Sequence, residues 1–392
     1  MKRLINLFCI ILALASFCIV LYGRKNQPVK VPTVTVEVTV EVTAPLPSAS
    51  PEDTETPEPS PEAQAEMFTL SFVGDCTLKS HNGGSDFDKK MDGDYSYPFK
   101  NVVDILSQDD MTVANLECTI SDQKLFKQGD RTFSFLCPSS YLQILELGSV
   151  EFVNTANNHI DDFGNSGVED TYKCLDNSKI AYCRKNEITT YETESGLKVG
   201  VYCEMYNNIG KSIDQINASV RKGVESLKEM DVDLIMVVFH FGDEGKYTVY
   251  DREIQPAHTA IDAGATIVYS SHPHVLQPVE EYNGGVIMYS MGNFVFGGNT
   301  HPTDPDTAIV QVSIKRDTDG SVSYEGYKAI PCRVSSTPPQ NPQKPASMDY
   351  NDYCPTPYEE NSEEWNRTIA KLDGTSEVSD FTPDYSWTKP AE

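Results

Sequence analysis

Basic residues are scarce in this chain. Its 392 residues include 31 Lys and Arg against 58 Asp and Glu, which gives a formal net charge of −27 at pH 7. A protein that binds nucleic acid needs a basic surface to neutralise the phosphate backbone. The composition therefore argues against nucleic acid as a partner.

Apolar residues are also few, and the cysteines are not paired in sequence. Hydrophobic residues make up 39% of the chain, which indicates a folded part that carries disordered segments. The ten cysteines are dispersed and form no Cys-x-x-Cys motif, so a structural zinc site is not expected. An exported location would permit disulfides, but the spacing assigns no pair.

One long uncharged run lies at the amino end. Lys2 and Arg3 precede the nineteen residues from Leu4 to Tyr22, a length that can just span a bilayer as a helix. We interpret residues 1–25 as an uncleaved membrane anchor, with a cleaved signal peptide as the alternative. The basic residues before the run predict a single-pass cell-membrane protein whose carboxyl-terminal domain is extracellular.

Composition divides the rest of the chain into three parts. Residues 26–66 are rich in Pro, Thr, Val and Glu and are predicted to form a disordered acidic linker. Residues 67–335 alternate between strand-like and helix-like segments, which predicts an α/β fold of two mixed sheets with outer helices. Residues 336–392 are acidic and Pro-rich, and we expect a loose tail with one short helix over 361–372.

Periodicity predicts the elements of the folded part. Strands are expected over 68–74, 111–117, 150–156, 198–204, 233–240, 266–271, 285–296 and 307–316. Helices are expected over 141–148, 167–178, 214–230 and 253–265. The strand over 233–240 is continuously apolar, which is typical of a strand that is buried on both faces.

Histidine is rare too, yet four of the seven histidines follow apolar, strand-like runs. His159 follows VNTANN, His240 follows LIMVVF, and His272 and His274 follow TIVYSS as a His-Pro-His pair. Imidazole is the commonest metal ligand and acid–base group in proteins. Because an α/β enzyme gathers side chains at the carboxyl ends of its strands, these histidines predict a metal site.

Acids and amides occupy similar positions. The relevant motifs are Gly74-Asp75, Asn115-Leu116-Glu117, Asn157-Asn158-His159 with Asp162 and Gly164, and His240-Phe241-Gly242-Asp243-Glu244. Mixtures of carboxylate, amide oxygen and imidazole hold Mn²⁺, Mg²⁺, Zn²⁺ and Fe. Each motif is a weak signal alone, but together they predict a site for one or two divalent metal ions.

The order of these motifs resembles the calcineurin-like metallophosphoesterase superfamily and, more closely, the bacterial CapA family of capsule synthesis, which is associated with poly-γ-glutamate. The matching stretches are FVGDCTL, VANLECTIS, TANNHIDDFG, HFGDEGKYTV and IDAGATIVYSSHPHVLQPVEEYNGGVIMYSMGNFVF. The resemblance covers roughly residues 68–315. It implies a metallo-dependent phosphatase-like, four-layer α/β/β/α sandwich.

The resemblance also implies a ligand set. One ion would be bound by Asp75 and His274, the other by Asn158, His240 and His272, with Glu117 bridging the two. The chain departs from the superfamily pattern at Thr77, where a second histidine is usual, and at Ser271, where glycine is usual. The first ion therefore loses a ligand, which argues against an efficient two-metal phosphatase.

The remaining implied roles concern protons and loops. His159 would protonate a leaving oxygen rather than bind metal, and Asp162 could either orient His159 or cap the loop. We interpret Asn293 as a hydrogen-bonding loop residue near the site, Gln277 as a residue that holds the His-Pro-His loop, and His258 as structural.

Two functional classes follow. The first is a component of capsule polymer assembly or export that uses its metal site to bind an anionic polymer such as poly-γ-glutamate. The second is a hydrolase that cleaves a phosphate ester of the cell envelope. A decayed site with a scaffolding role is less attractive, because the motif histidines are all present. The expected partners are the membrane, through the amino-terminal helix, and other membrane proteins of capsule synthesis.

Overall fold

The structure is a computed structural model that describes residues 64–206 and 211–382. The predicted anchor over 1–25 and almost all of the linker over 26–66 lie outside the described residues. Within the two described ranges, no helix combines the length and the apolar character that a membrane span requires.

The described chain alternates between helices and strands. Its helices are α1 Asp86–Met91, α2 Val103–Leu106, α3 Leu142–Leu147, α4 Gly164–Asp176, α5 Ile213–Lys228, α6 Asp251–Ala263 and α7 Glu363–Leu372. Its first strands are β1 Glu66–Thr77, β2 Met111–Leu116, β3 Thr119–Ile120, β4 Leu136–Cys137, β5 Phe152–Asn154, β6 Ala181–Cys183, β7 Ile188–Glu192 and β8 Lys198–Tyr206. The others are β9 Leu234–Phe241, β10 Ile267–Ser271, β11 Val279–Tyr282, β12 Gly285–Met288, β13 Asn293–Phe296, β14 Asp306–Arg316, β15 Val322–Arg333 and β16 Thr356–Pro357.

The larger sheet has the strand order β16-β15-β14-β1-β2-β5-β6, and β13 also pairs with β1. Strands β1, β2, β5 and β6 are parallel, whereas β14, β15 and β16 run antiparallel to their neighbours. The register places Phe72 opposite Val113 on one side and Val310 on the other. These apolar side chains are buried and form one face of the central core.

The smaller sheet has the order β11-β12-β10-β9-β8-β7. Its four inner strands are parallel, and antiparallel β7 and β11 form its edges. All eight residues of β9 are buried, as its continuous apolar run predicts. Met236 of β9 lies opposite Val201 of β8 and Ile267 of β10. A third, two-stranded sheet is formed by β3 and β4.

Three apolar clusters define the layers. The first contains residues from both sheets, such as Phe72 and Met236, and fills the space between them. The second packs the other face of the larger sheet against helices that include α1, α3 and α4. The third packs the other face of the smaller sheet against α5 and α6. The predicted mixed α/β fold is therefore confirmed.

A disulfide links the two sheets directly. Cys183 at the end of β6 in the larger sheet bonds to Cys203 in β8 of the smaller sheet. Sequence spacing could not assign this pair, because the two strands approach each other only in the folded sandwich. The other six cysteines of the described residues are free, and most of them are buried.

The single strand predicted over 285–296 is wrong. The segment forms β12 in the smaller sheet and β13 in the larger one, so the chain crosses between the sheets. Gly292, whose φ is +63°, turns the backbone just before β13. Apolar residues lie on both sides of the crossing, which is why the pattern looks continuous.

The structure also differs from the expected loose tail after residue 336. Strand β16 pairs with β15, and Leu372 of α7 is buried in the central core. Lys371 of α7 is buried and bonds to Asp304 at 2.7 Å and to Asp306 at 2.8 Å. Lys371 of the carboxyl-terminal segment thus partly neutralises Asp304 and Asp306, which this segment contacts. The predicted short helix is present as α7.

Candidate metal centre

Strand ends of both sheets supply the side chains of one cluster. In the larger sheet, Asp75 lies near the end of β1 and Glu117 directly follows β2. In the smaller sheet, His240 lies near the end of β9 and His272 directly follows β10. Each pair of strands is parallel, so each sheet brings its two residues to the same edge.

Two groups of possible ligand atoms share Glu117. Within each group, one ligand atom from every residue lies within 4.8 Å of the others. The groups are Glu117 with His240 and His272, and Asp75 with Glu117 and His274. Asn158 adjoins the first group, because its Oδ1 lies 2.8 Å from His240 Nε2. The structure thus brings all six sequence-predicted ligands together, and their individual roles stay predictions.

A buried amide positions the two carboxylates. Asn115 donates through Nδ2 to Asp75 Oδ1 at 2.8 Å and to Glu117 Oε2 at 3.2 Å. Its Oδ1 accepts from Asn154 at 3.0 Å and from Asn157 at 3.1 Å. The sequence interpretation gave Asn115 no role of its own. Its position two residues before Glu117 predicts that both side chains lie on the same face, since alternate strand residues share a face.

The backbone of Asp75 is fixed by a close approach of two strands. Its N–H donates to the carbonyl of Gly292 at 2.8 Å. A Cβ atom at Gly74 would lie only 2.1 Å from that same carbonyl oxygen, so the position requires glycine. The Gly-Asp motif therefore has a steric reason as well as a chemical one.

The His-Pro-His loop has an unusual backbone. His272 has a φ of 107° and His274 a φ of 57°, both in the region that favours glycine. Such conformations cost about 1–3 kcal/mol each and concentrate at functional sites. The loop aims His274 at Asp75, with Nδ1 lying 3.0 Å from Oδ2.

Burial and charge set the protonation of the site. Burial, followed by the neighbouring Asp75 carboxylate, raises the pKa of Glu117 well above its usual value. Burial alone would lower the pKa of His274, but Glu117 and Asp75 outweigh it and raise the pKa to about 10. Burial and the neighbouring His274 lower the pKa of His272 to about 4. Burial likewise lowers the pKa of His240 well below its usual value.

The residues fit a divalent cation. Glu117 Oε1 and His272 Nδ1 are buried polar atoms without a hydrogen-bond partner, which is rare in folded proteins. A positive ion beside Glu117 would satisfy the orphaned oxygen and offset the cost of burying the two carboxylates. The mixture of carboxylate, amide and imidazole suits Mn²⁺, Zn²⁺, Fe or Mg²⁺ without selecting among them.

His159 belongs to a separate hydrogen-bonded unit. Its Nδ1 lies 2.9 Å from Oδ2 of Asp162, which is fully buried. The Phe135 N–H also donates to this carboxylate at 2.9 Å, and so does Arg131 at 2.9 Å. Asp162 thus both orients His159 and holds the neighbouring loop, so the two alternatives for this residue are compatible. With Nδ1 engaged, Nε2 is the ring nitrogen left for a substrate.

Arg131 was missed at the sequence level. Its guanidinium bonds to the Asn158 carbonyl at 2.6 Å, to Asp161 at 2.6 Å and to Asp162 at 2.9 Å. It thereby connects the loop that precedes β4 to the loop that carries Asn158 and His159. In the sequence Arg131 is a single arginine in a polar loop. Nothing in the sequence indicates that it contacts Asn158, which lies 27 residues further along the chain.

A cavity of about 190 Å³ opens beside these groups. His159 and His274 both line it, so a molecule inside would meet the proton donor candidate and the ligand candidates together. Its other walls combine the aromatic rings of Phe133, Phe135 and Phe296 with polar and small residues. The cavity can therefore hold a substrate next to the site.

The order of these ligands along the chain resembles that of a known protein family, and a match to a family model identifies the family. The family model of the bacterial capsule synthesis protein PGA_cap matches residues 69–298, which include all six ligand candidates and both His159 and Asp162. The chain belongs to the PGA_cap family.

Two relatives of this PGA_cap chain span most of its folded part. The PGA biosynthesis protein CapA of Bacillus subtilis (strain 168) is 30% identical over 275 residues, which cover 65% of this chain and 70% of that protein. The capsule biosynthesis protein CapA of Bacillus anthracis is 26% identical over 273 residues, which cover 64% of each chain.

Two solved structures resemble the PGA_cap chain in part. The NAD nucleotidase of Haemophilus influenzae has a TM-score of 0.38 at 12% identity and covers 83% of this chain and 66% of its own. A purple acid phosphatase from yellow lupin has a TM-score of 0.30 at 9% identity and covers 69% of this chain and 55% of its own.

Both departures of this PGA_cap chain from the superfamily pattern have local explanations. Thr77 is buried, and its hydroxyl accepts a hydrogen bond from the Gly298 N–H at 3.1 Å, so its side chain fixes the backbone that follows β13. The Ser271 hydroxyl lies 2.9 Å from His240 Nδ1 and fixes the ring that an ion would use. Asn293 Nδ2 donates to the His274 carbonyl at 3.3 Å, as expected of a hydrogen-bonding residue near the site, although Asn293 begins strand β13 rather than lying in a loop.

Proposed function

We propose that this PGA_cap chain is a membrane-anchored, extracellular component of capsule biosynthesis or export, which binds an anionic group of a poly-γ-glutamate type polymer through one or two divalent metal ions. The observation that carries the proposal is the pair of ligand groups that share Glu117, whose Oε1 is buried without a hydrogen-bond partner. The two CapA relatives are a PGA and a capsule biosynthesis protein, and we extend that role to this chain.

The fold that fits this proposal is a metallo-dependent phosphatase-like α/β/β/α sandwich. Asp75, Glu117 and His274 would hold one ion, and Asn158, His240 and His272 would join Glu117 around the other. When bound, such ions supply a Lewis acid that neutralises charge on a carboxylate or phosphoryl oxygen. The carboxylates of a polyanion could then approach a chain whose net charge is −27.

The external location is supported by the inter-sheet disulfide. Cys183 and Cys203 are bonded, and disulfides persist in oxidising environments outside the cytoplasm. The uncharged run from Leu4 to Tyr22 would supply the anchor. Protease treatment of intact cells that express the full chain tests both points. We expect digestion of the folded part, whereas protection in intact cells would contradict the external location.

A second candidate function is phosphate-ester hydrolysis. It is favoured by the His159–Asp162 pair, because His159 lines the same cavity as His274 and keeps Nε2 for a substrate. A histidine in this position can donate a proton to a leaving oxygen. Thr77 offers no imidazole to the first ion, so we rank hydrolysis below binding.

Metal analysis of the purified full chain tests the shared basis of both functions. We expect bound divalent transition metal in the wild type and a clear loss in His240→Ala, because His240 is buried within one ligand group. His258→Ala is the matched control, since His258 bonds to Glu280 at 2.9 Å and belongs to neither group. Equal, negligible metal in all three proteins would overturn the proposal.

Activity assays then separate the two functions. A phosphomonoester and a phosphodiester are offered to the metal-loaded wild type and to His159→Gln. Hydrolysis that falls by about 10²–10⁴-fold in the variant is the magnitude expected for a lost general acid, and it supports the phosphoesterase. Bound metal without hydrolysis of either ester supports the binding role in polymer assembly or export.

A further inference from the structure

The cavity beside the ligand groups has aromatic and acidic walls, which are unexpected for a site that binds a polyanion. Its lining includes the aromatic rings of Phe133, Phe135, Phe296 and Phe381, together with the carboxylate of Glu244. No lysine or arginine is among the described residues that line it. Apart from a bound metal ion and the histidines His159, His274 and His301, the walls therefore offer no cationic side chain to a second anionic group.

Two basic side chains near the cavity, Arg131 and Lys371, are already engaged in ion pairs. Arg131, close to His159, pairs with Asp161 and Asp162 at 2.6 and 2.9 Å. Lys371 pairs with Asp304, which is itself a wall residue, at 2.7 Å. The negative charge of Asp304 is thus balanced from within the protein, whereas Glu244 forms no ion pair or hydrogen bond among the described residues.

The aromatic walls lie directly against the reactive groups. Phe296 lies 4.8 Å from the His274 ring, and Phe135 lies 4.8 Å from the His159 ring, measured between ring centroids. The two phenylalanines are 5.9 Å apart and meet edge to face. A group bound beside the metal ligands would therefore lie close to aromatic rings, whose faces attract cations.

The loop that carries Glu244 is fastened from the carboxyl-terminal segment. The Phe381 N–H donates to the Gly245 carbonyl at 3.0 Å, and Asp380 accepts the Tyr247 N–H at 2.8 Å. Gly245 has a φ of +73°, and a Cβ there would lie 2.5 Å from the Phe381 carbonyl oxygen. Glu244 is consequently held at the cavity wall by a second segment of the chain.

We propose that the cavity binds a ligand that carries an ammonium group a few bonds away from its anionic group, with the ammonium between Glu244 and Phe296 and the anion at the metal ligands. The inference rests on the proposed metal function, because a cation must receive the anion. A carboxylate and an aromatic face bind an ammonium by charge and by cation–π attraction. The volume of about 190 Å³ suits a chain end or a small headgroup.

Two sources supply this chemistry. One is the free amino end of a γ-linked glutamyl chain, in which the ammonium and a carboxylate share one carbon atom. The other is the phosphate ester of an amino alcohol, in which two carbon atoms separate the nitrogen from the ester oxygen. In both sources, the ammonium and the anionic group lie only a few covalent bonds apart.

Calorimetric titration of the Mn²⁺-loaded full chain tests the inference. The probes are γ-glutamylglutamate and phosphoethanolamine, each compared with its N-acetyl derivative, which keeps the anionic groups and removes the positive charge. We expect the amine to bind at least about tenfold more tightly than its acetylated partner, as a charged hydrogen bond would give. The pair that shows this preference identifies the source.

Variants of two wall residues test whether the preference for the amine over the acetylated probe arises in this cavity. In Glu244→Gln and in Phe296→Leu, the affinity ratio of amine to acetylated probe should fall towards one. The matched controls are Glu229→Gln and Phe126→Leu, since Glu229 is exposed at the end of α5 and Phe126 is 78% exposed. Both controls should keep the wild-type ratio.

The outcomes separate this inference from the proposed function. If Mn²⁺ does not bind, the metal function fails and the inference falls with it. If Mn²⁺ and inorganic phosphate bind but amine and acetylated probes bind equally, or neither binds, the inference alone is overturned. A preference that survives in Glu244→Gln overturns the assignment to this cavity.

Discussion

At the scale of single residues, Arg131 connects two loops of the site that no sequence motif links. Its guanidinium bonds to the Asn158 carbonyl and to Asp162, whose carboxylate in turn holds His159. Asp162 is fully buried, so its charge depends on these partners. Removal of the guanidinium would leave a buried carboxylate with one cationic partner fewer.

We therefore expect Arg131→Met to lower the free energy of unfolding by about 1–3 kcal/mol, the usual cost of a buried polar group that loses a partner. Urea unfolding measures the change. The matched control is Lys127→Met in the same loop, because Lys127 donates only to the exposed Arg131 carbonyl at 3.0 Å. Equal stability of the two variants would contradict the role given to Arg131.

Glu151 provides a pH-dependent test at the same scale. Burial raises the pKa of Glu151 from 4.5 to about 7 in the folded chain, although its Oε2 accepts the Thr112 N–H at 2.7 Å. The folded state therefore holds the proton more tightly than the unfolded state. Unfolding free energy should fall as pH rises from about 4.5 to about 7 and stay low above that range.

Glu151→Gln removes this ionisation and keeps an oxygen acceptor for Thr112. We expect the variant to be more stable than wild type by about 1–2 kcal/mol at pH 8, after allowance for partial solvent screening, and equal to it near pH 4. Unfolding curves at both pH values measure the difference. Glu192→Gln, at an exposed position of β7, should show no such pH-dependent gain.

Sequence alone could predict the ligands but not the residues that hold them. Asp75, Glu117 and His240 follow recognisable strand-end patterns, and the fold brings them together. Asn115 and Arg131 act through side-chain geometry that no local pattern specifies. A sequence motif indicates which ligand side chains are present, whereas the positions of those side chains depend on contacts between segments that are distant in sequence.

At the scale of elements, most helices and strands could be predicted because their apolar periodicity is strong. Strand β9 and helix α5 lie within one residue or two of their expected bounds. The segment predicted as one strand over 285–296 divides into β12 and β13, and several further elements were not predicted, namely β3, β4, β6, β7, β11, β15, β16, α1 and α2. Strand β15 is mostly half-exposed and lacks a clear apolar alternation, and the crossing before β13 depends on contacts with β1.

The inter-sheet disulfide is the element-scale feature that is most open to experiment. Cys183 and Cys203 are 20 residues apart in sequence, a loop length for which a disulfide contributes about 3 kcal/mol in the chain-entropy account. We expect Cys203→Ser, or reduction of the wild type, to lower the unfolding free energy by about that amount. Cys174→Ser, at a free and partly exposed cysteine, is the control. An unfolding midpoint that is insensitive to reductant would contradict the bond.

At the scale of the whole molecule, the proposed metal centre is a second connection between the two sheets. Asp75 and Glu117 come from the larger sheet, whereas His240, His272 and His274 come from strands or loops of the smaller one. A bound ion would join the carboxylates of one layer to the imidazoles of the other. Metal binding should therefore stabilise the sandwich as a unit rather than one loop.

Chelation measures that coupling. An ion that binds only the folded state stabilises it by about 2.7 kcal/mol when its free concentration is 100 times its dissociation constant. We expect excess chelator to lower the unfolding midpoint of the wild type in one cooperative transition. His240→Ala should unfold at the same midpoint with and without chelator, and His258→Ala should keep the full difference. Because the ligands come from both sheets, an unchanged midpoint after verified metal removal would contradict a centre that joins them.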